Sequence, residues 1–302
     1  MKQHQWVAGL AALLLLAGCG DEASGDAANE PLVPPSLAPA SALPEVSDGA
    51  ALELPLAAYR HSAEQATVIS RAEGLIIQQC MRRLGFATWQ PPAPARQGRL
   101  WTSGLDLGIV DMEQATRYGY HSPESIAADA ERRGGATRKA DHAELAALTG
   151  DDEFGVPPGK DVPAGGCSGE AARKLREGGP DADVELDGRL SEQAGKATAA
   201  DERVVTVVAA WSECMAAAGH RYRTPAEAAG QEWAPTPTAA ERAIATADVR
   251  CKEQTRLPQI WFGVQAGYEN QLIARNREAL DEVRAQVENE VERAGQVLAN
   301  GA

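Results

Sequence analysis

The sequence predicts a mostly α-helical protein, on three observations. Apolar residues recur three and four positions apart over long stretches. Segment starts carry Ser, Thr or Asp with Glu or Gln close behind, and segment ends carry glycine. The alternation of β-branched residues that marks a strand is nearly absent.

Residues 1–18 come first. Lys2 precedes an apolar run from Trp6 to Ala17, and Leu16-Ala17-Gly18-Cys19 closes it with small residues before a cysteine. The run is shorter than the roughly 20 residues a membrane span needs and matches the about 7–15 of a signal peptide. We read 1–18 as a lipoprotein signal peptide and Cys19 as the lipidation site. Two or three acyl chains there make release slow, since each buried methylene adds about 0.8 kcal/mol. Residues 19–50 read as a disordered tether: they hold Pro31, Pro34, Pro35, Pro39 and Pro44, and no Lys or Arg before Tyr59.

Residues 51–198 read as a first helical half. Val68, Ile69, Ala72, Leu75, Ile76, Cys80 and Leu84 form one helical face, opened by the Ser62-x-x-Gln65 capping box and stopped at Gly85. Residues 86–118 are Pro-rich and read as a small hairpin or an irregular loop. Ser122-Pro123, Asp141-x-x-Glu144 and Ser168-x-Glu170 open three short helices. Residues 199–302 read as the second half, with start signals at Thr224-Pro225 and Thr238-x-x-Glu241. Pro258 fits the first turn of a long C-terminal helix running to about Leu298. Its stripe of Leu280, Val283, Val287, Val291, Ala294 and Leu298 packs on its own domain, or else docks a partner through Val283, Val287 and Val291.

One internal echo supports two related halves. Cys80-Met81-x₃-Gly85 matches Cys214-Met215-x₃-Gly219, and each copy is followed by one later cysteine, Cys167 or Cys251. Export to an oxidising compartment and an even count favour disulfides. Four cysteines allow three pairings. Pairing within halves gives Cys80–Cys167 and Cys214–Cys251, and the rival map across halves, Cys80–Cys214 with Cys167–Cys251, stays open on spacing alone. A zinc site is disfavoured because no C-x₂₋₄-C occurs.

The formal charge is −14, which argues against nucleic acid as a partner. Removing residues 1–18 takes Lys2 away and leaves 28 basic against 43 acidic side chains. No nucleophile elbow, H-E-x-x-H, Walker loop or dinucleotide fingerprint occurs. Asp183-x-Glu185-x-Asp187-Gly188 opens like a calcium loop, but Ala194 stands where calcium needs a bidentate Glu. No cofactor, metal or catalytic residue is therefore assigned. Tyr118-Gly119-Tyr120-His121 reads as a small recognition patch, or as a hydrophobic staple in which Tyr120 or His121 packs on Ile126. Trp211, beside Cys214 within a helix, reads as core.

Tyr118-Gly119-Tyr120-His121, Ala147-Leu148-Thr149-Gly150, Gly165-Gly166-Cys167-Ser168-Gly169-Glu170-Ala171, Cys214-Met215-x₃-Gly219 and Asp248-x₂-Cys251-Lys252-x₂-Thr255 before Trp261-Phe262 resemble a group of secreted lipoproteins from actinobacteria. The resemblance spans roughly residues 60–298. It implies an exported, membrane-tethered, mostly helical protein and carries no activity with it. The expected function is a non-enzymatic binding or accessory role at the outer face of the cytoplasmic membrane, partnered by the membrane through Cys19 and by an envelope or transporter protein. The alternatives are a cell-envelope hydrolase with a carboxylate site and a solute-binding lipoprotein.

Overall fold

A computed structural model describes residues 30–38, 53–91, 107–123, 125–127, 141–151 and 161–301. Cys19, the expected signal peptide and most of the expected tether lie outside them. From Leu32 onward the described residues belong to one compact unit; they are largely helical, with no strand among them. Among them no helix is long and apolar enough to cross a membrane.

A 3-10 turn at Pro55–Tyr59 precedes α1, Ala63–Arg83. Ser62 closes the expected capping box with Gln65: each backbone N–H bonds the other's side chain, at 3.2 and 2.8 Å. Then come α2 (Met112–Tyr118), α3 (His142–Thr149), α4 (Gly166–Arg176) and α5 (Leu186–Ala200). The chain continues through α6 (Glu202–Ala217), α7 (Pro225–Ala229), α8 (Ala239–Thr255), α9 (Leu257–Arg275) and α10 (Arg277–Asn300). Asp111, Asp141, Asp201, Thr224 and Thr238 each accept a hydrogen bond from a first-turn N–H of the helix they open.

Three expectations are corrected. Residues 86–118 are not a hairpin where described: Asp111 caps a helix, α2. A long C-terminal helix is present, α10, but it does not run unbroken from Pro258: residues 257–300 form two helices. At Asn276 (φ −118°, ψ 24°) the side-chain amide takes the Leu272 carbonyl at 2.8 Å, ending α9, and α10 starts at the next residue. Within the stretch read as a tether, residues 32–38 lie against the helical body, with Leu32 and Leu37 packed on its main apolar cluster.

The echoed cysteine segments do share one structure. Phe86 donates its N–H to Met81 O at 2.9 Å and Gly85 to Arg82 O at 3.1 Å. His220 donates to Met215 O at 2.8 Å and Gly219 to Ala216 O at 3.1 Å. Each is a Schellman end, with its glycine at φ 97° or 91° and its methionine fully buried. The structure pairs Cys80 with Cys167 (Cα–Cα 5.6 Å) and Cys214 with Cys251 (Cα–Cα 5.7 Å).

The two halves are related by this motif and not by a boundary in space. α5, from residues 51–198, packs on α9, and α10, from 199–302, packs on α1 and α4. The main apolar cluster gathers Trp211, Met215, Leu257, Trp261, Leu272 and Leu280 with Leu56 and Leu107. Two small clusters sit beside it: Ala72, Ile76, Ala171, Leu175 and Ala294, and the Cys80–Cys167 group with Met81, Trp89 and Ala147. The α10 stripe is therefore spent within the unit. Val283 is buried, Val287 packs on the main cluster and Val291 is half-buried, which is the packing on its own domain that the stripe allowed.

Candidate functional site

Two of the quoted motifs, far apart in sequence, meet at one place. Tyr118-Gly119-Tyr120-His121 ends α2 and lies on α8, which carries Glu241, Asp248, Cys251 and Lys252. α8 places these side chains because Thr238 and Glu241 start it with a capping box, and positions 241, 245, 248 and 252 share its buried face.

At the centre Lys252 and Asp248, one turn apart, form an ion pair of 2.8 Å with both side chains at most 1% exposed. The ammonium also donates to Ile109 O at 2.7 Å. Asp248 accepts from Tyr120 Oη at 3.1 Å and from Trp211 Nε1 at 2.9 Å, so both carboxylate oxygens are taken. Burial pushes the Asp248 carboxyl up and the Lys252 ammonium down, each against the attraction of the other. Burial and the neighbouring Asp248 carboxylate push the Tyr120 phenol far up, which keeps it a proton donor.

One turn back, the fully buried Glu241 accepts Tyr120 N–H at 2.8 Å through Oε1, which also lies 2.8 Å from His121 Nδ1. Gly119 permits this approach. It sits at φ 62°, and a Cβ there would stand 2.4 Å from Glu241 Oε1. The Tyr120 ring stacks on Trp233, centroids 5.3 Å apart. Gln114, from α2, donates to His121 O at 3.3 Å and helps line a groove of about 280 Å³ with Asp111, Arg117, Tyr118 and Ser122.

Chemically the arrangement is of two kinds. The Asp248–Lys252 pair is closed: its partners are protein groups, and it ties the 107–120 segment and α6 to α8. The His121–Glu241 pair is half-buried at the histidine, 15% exposed, and a histidine oriented by a carboxylate is the arrangement of a general base. Tyr120 and His121 turn to α8 and Trp233. Trp211 is core, as read, and also an Asp248 ligand. Two of the three acids of the calcium-like loop pair with arginines, Asp183 with Arg189 and Asp187 with Arg60. Among the described residues no group of three or more His, Cys, Asp or Glu is arranged to hold a metal.

The sequence reading did not find Glu241, beyond its cap role, or the seat of residues 32–38 on α9. Gly267, an isolated glycine inside a helical pattern, was the available signal for the second. No family model, curated protein or solved structure matches this chain.

Proposed function

We propose that this chain is a lipid-anchored extracytoplasmic protein, held through Cys19 at the outer face of the cytoplasmic membrane, with a non-enzymatic binding or accessory role in an envelope or transport complex. The carrying observation is Leu16-Ala17-Gly18-Cys19 at the end of a short apolar run opened by Lys2. Two disulfides suit the same oxidising compartment. The resemblance to secreted actinobacterial lipoproteins agrees with it. The non-enzymatic part is supported by the closed state of the buried acids: both Asp248 oxygens and Glu241 Oε1 are taken by internal partners.

The wild-type chain is expected to partition into the detergent phase, and Cys19→Ala to be uncleaved or freely released. A Cys19→Ala chain that stays with membranes at the wild-type level overturns the anchor. One observation favours a second reading, a cell-envelope hydrolase: the His121–Glu241 pair near the Gln114 groove. Loss of a hydrolytic activity on envelope material in His121→Ala, with melting unchanged, would decide for it.

A further inference from the structure

Residues 32–37, Leu-Val-Pro-Pro-Ser-Leu, are held on α9 by side chains that read their backbone. Pro34 and Pro35 have no N–H and fix φ near −65°, and a residue before proline is biased to extended backbone. Such a segment offers mainly carbonyls, so its natural partners are side-chain donors at fixed positions. Gln271 supplies both halves of one match: Nε2 donates to Val33 O at 2.7 Å and Oε1 accepts Val33 N–H at 3.0 Å. Arg203 donates Nη1 to Pro35 O at 2.6 Å.

Arg203 is held ready for this. Asp201 grips its Nε and Nη2 at 2.8 and 2.7 Å and itself accepts from Tyr268 Oη at 3.1 Å. Gly267, one turn before Gln271, makes the room. A Cβ at that position would stand 2.3 Å from Pro35 Cβ. A glycine inside a helix is disfavoured against alanine, and here the proline ring occupies the space it leaves. Leu32, Pro35 and Leu37 are half-buried, while Val33 points out and is 64% exposed.

We propose that Arg203, Gly267 and Gln271 form a recognition site for an extended proline-containing peptide, with this chain's own residues 32–37 as the resident ligand. The consequence for membrane attachment rests on the lipid-anchor reading. Seating the segment shortens the chain between Cys19 and the first seated residue to residues 20–31, against residues 20–54 when it is unseated and the body begins at Pro55. A segment tethered in this way competes at high effective concentration, which makes the site responsive to a rival only when that rival is abundant or better matched.

The full-length chain carries the test, by amide hydrogen exchange and peptide binding. The Val33 amide is expected to exchange slowly in the wild type and at least about tenfold faster in Gly267→Leu, with core amides unchanged. A labelled peptide of residues 31–38, titrated to millimolar, is expected to bind a chain whose own segment is dislodged by Leu32→Asp with Pro35→Asp, and to lose that binding when Gln271→Ala is added. An unprotected Val33 amide in the wild type overturns the site. So does a folded, dislodged chain that fails to take the peptide, or one whose binding ignores Gln271→Ala. These readouts do not depend on acylation, so Cys19→Ala partitioning fails or succeeds separately.

Discussion

The two disulfides follow the same Cys-Met-x₃-Gly helix end, yet they staple different kinds of structure. Cys80–Cys167 joins α1 to the start of α4 in a small apolar cluster whose close packing is made by backbone. A Cβ on Gly150 would meet Gly166 N at 2.2 Å, and one on Gly166 would meet Leu148 O at 2.3 Å. Gly150, Gly165 and Gly166 all have positive φ, so the end of α3 and the start of α4 touch directly and carry Cys167 to Cys80. Cys214–Cys251 joins α6 to α8 beside the main apolar cluster and the buried Asp248–Lys252 pair. One node relies on glycine and a covalent bond, the other on a core and a polar network. The repeated motif therefore specifies how a helix ends and presents a thiol. What the thiol holds together is set by the partner helix.

The largest expected effect tests that difference. In the chain-entropy model the first bond, separation 87, contributes about 4.6 kcal/mol and the second, separation 37, about 3.8. The first node has little apolar area to fall back on, so Cys80→Ala with Cys167→Ala should cost more than Cys214→Ala with Cys251→Ala. Urea unfolding of the two double variants gives the order. The reverse order would break the comparison.

The second node should be sensitive to its charges instead. Lys252→Met leaves Asp248 buried without its cation and is expected to cost about 3–5 kcal/mol. Lys252→Met with Asp248→Leu should recover most of that loss, since replacing both partners of a buried pair is often near neutral. Equal melting of the single and double variants would show that the pair is not what ties α6 and the 107–120 segment to α8.

How much of this was legible follows the physics of each signal. Caps and glycine stops are local, so Ser62, Asp141, Thr224 and Thr238 were readable directly. The disulfide map was reached from the echo at Gly85 and Gly219, a backbone requirement written in residues. The break at Asn276 was hidden because a side-chain amide can end a helix without glycine or proline. The polar network was half visible. Asp248 and Lys252 stand in one of the stretches that carry the resemblance, but Tyr120, Trp211 and Ile109 O come from distant segments, and only folding brings them together. The seated segment was read as tether because its prolines and acids match a solvated coil. Its ligands, Arg203 and Gln271, lie more than 160 residues away.

The smallest expected effect separates the nodes by the sign of their response to acid. Near the first node, Glu170 of α4 bonds Arg83 of α1 at 2.6 Å and Lys174 at 3.1 Å. Burial pushes its carboxyl up, but those two cations outweigh burial and hold it below the usual range. A carboxylate lowered in the folded state contributes stability above its unfolded pKa, and that stability is lost as pH falls through the folded value. Asp248 is the opposite case. Burial raises its carboxyl in the folded state despite Lys252, so folding takes up a proton as pH falls toward the unfolded value near 3.9, and the fold gains there. Over pH 6 to 3 the penalty of Glu170→Gln should therefore shrink, from at most about 1 kcal/mol for a partly exposed pair, while that of Asp248→Asn should grow. Urea midpoints of the two variants against the wild type at each pH give the two slopes. Slopes of the same sign would mean that the nodes differ in packing alone and that the charge at the second node behaves like a surface pair.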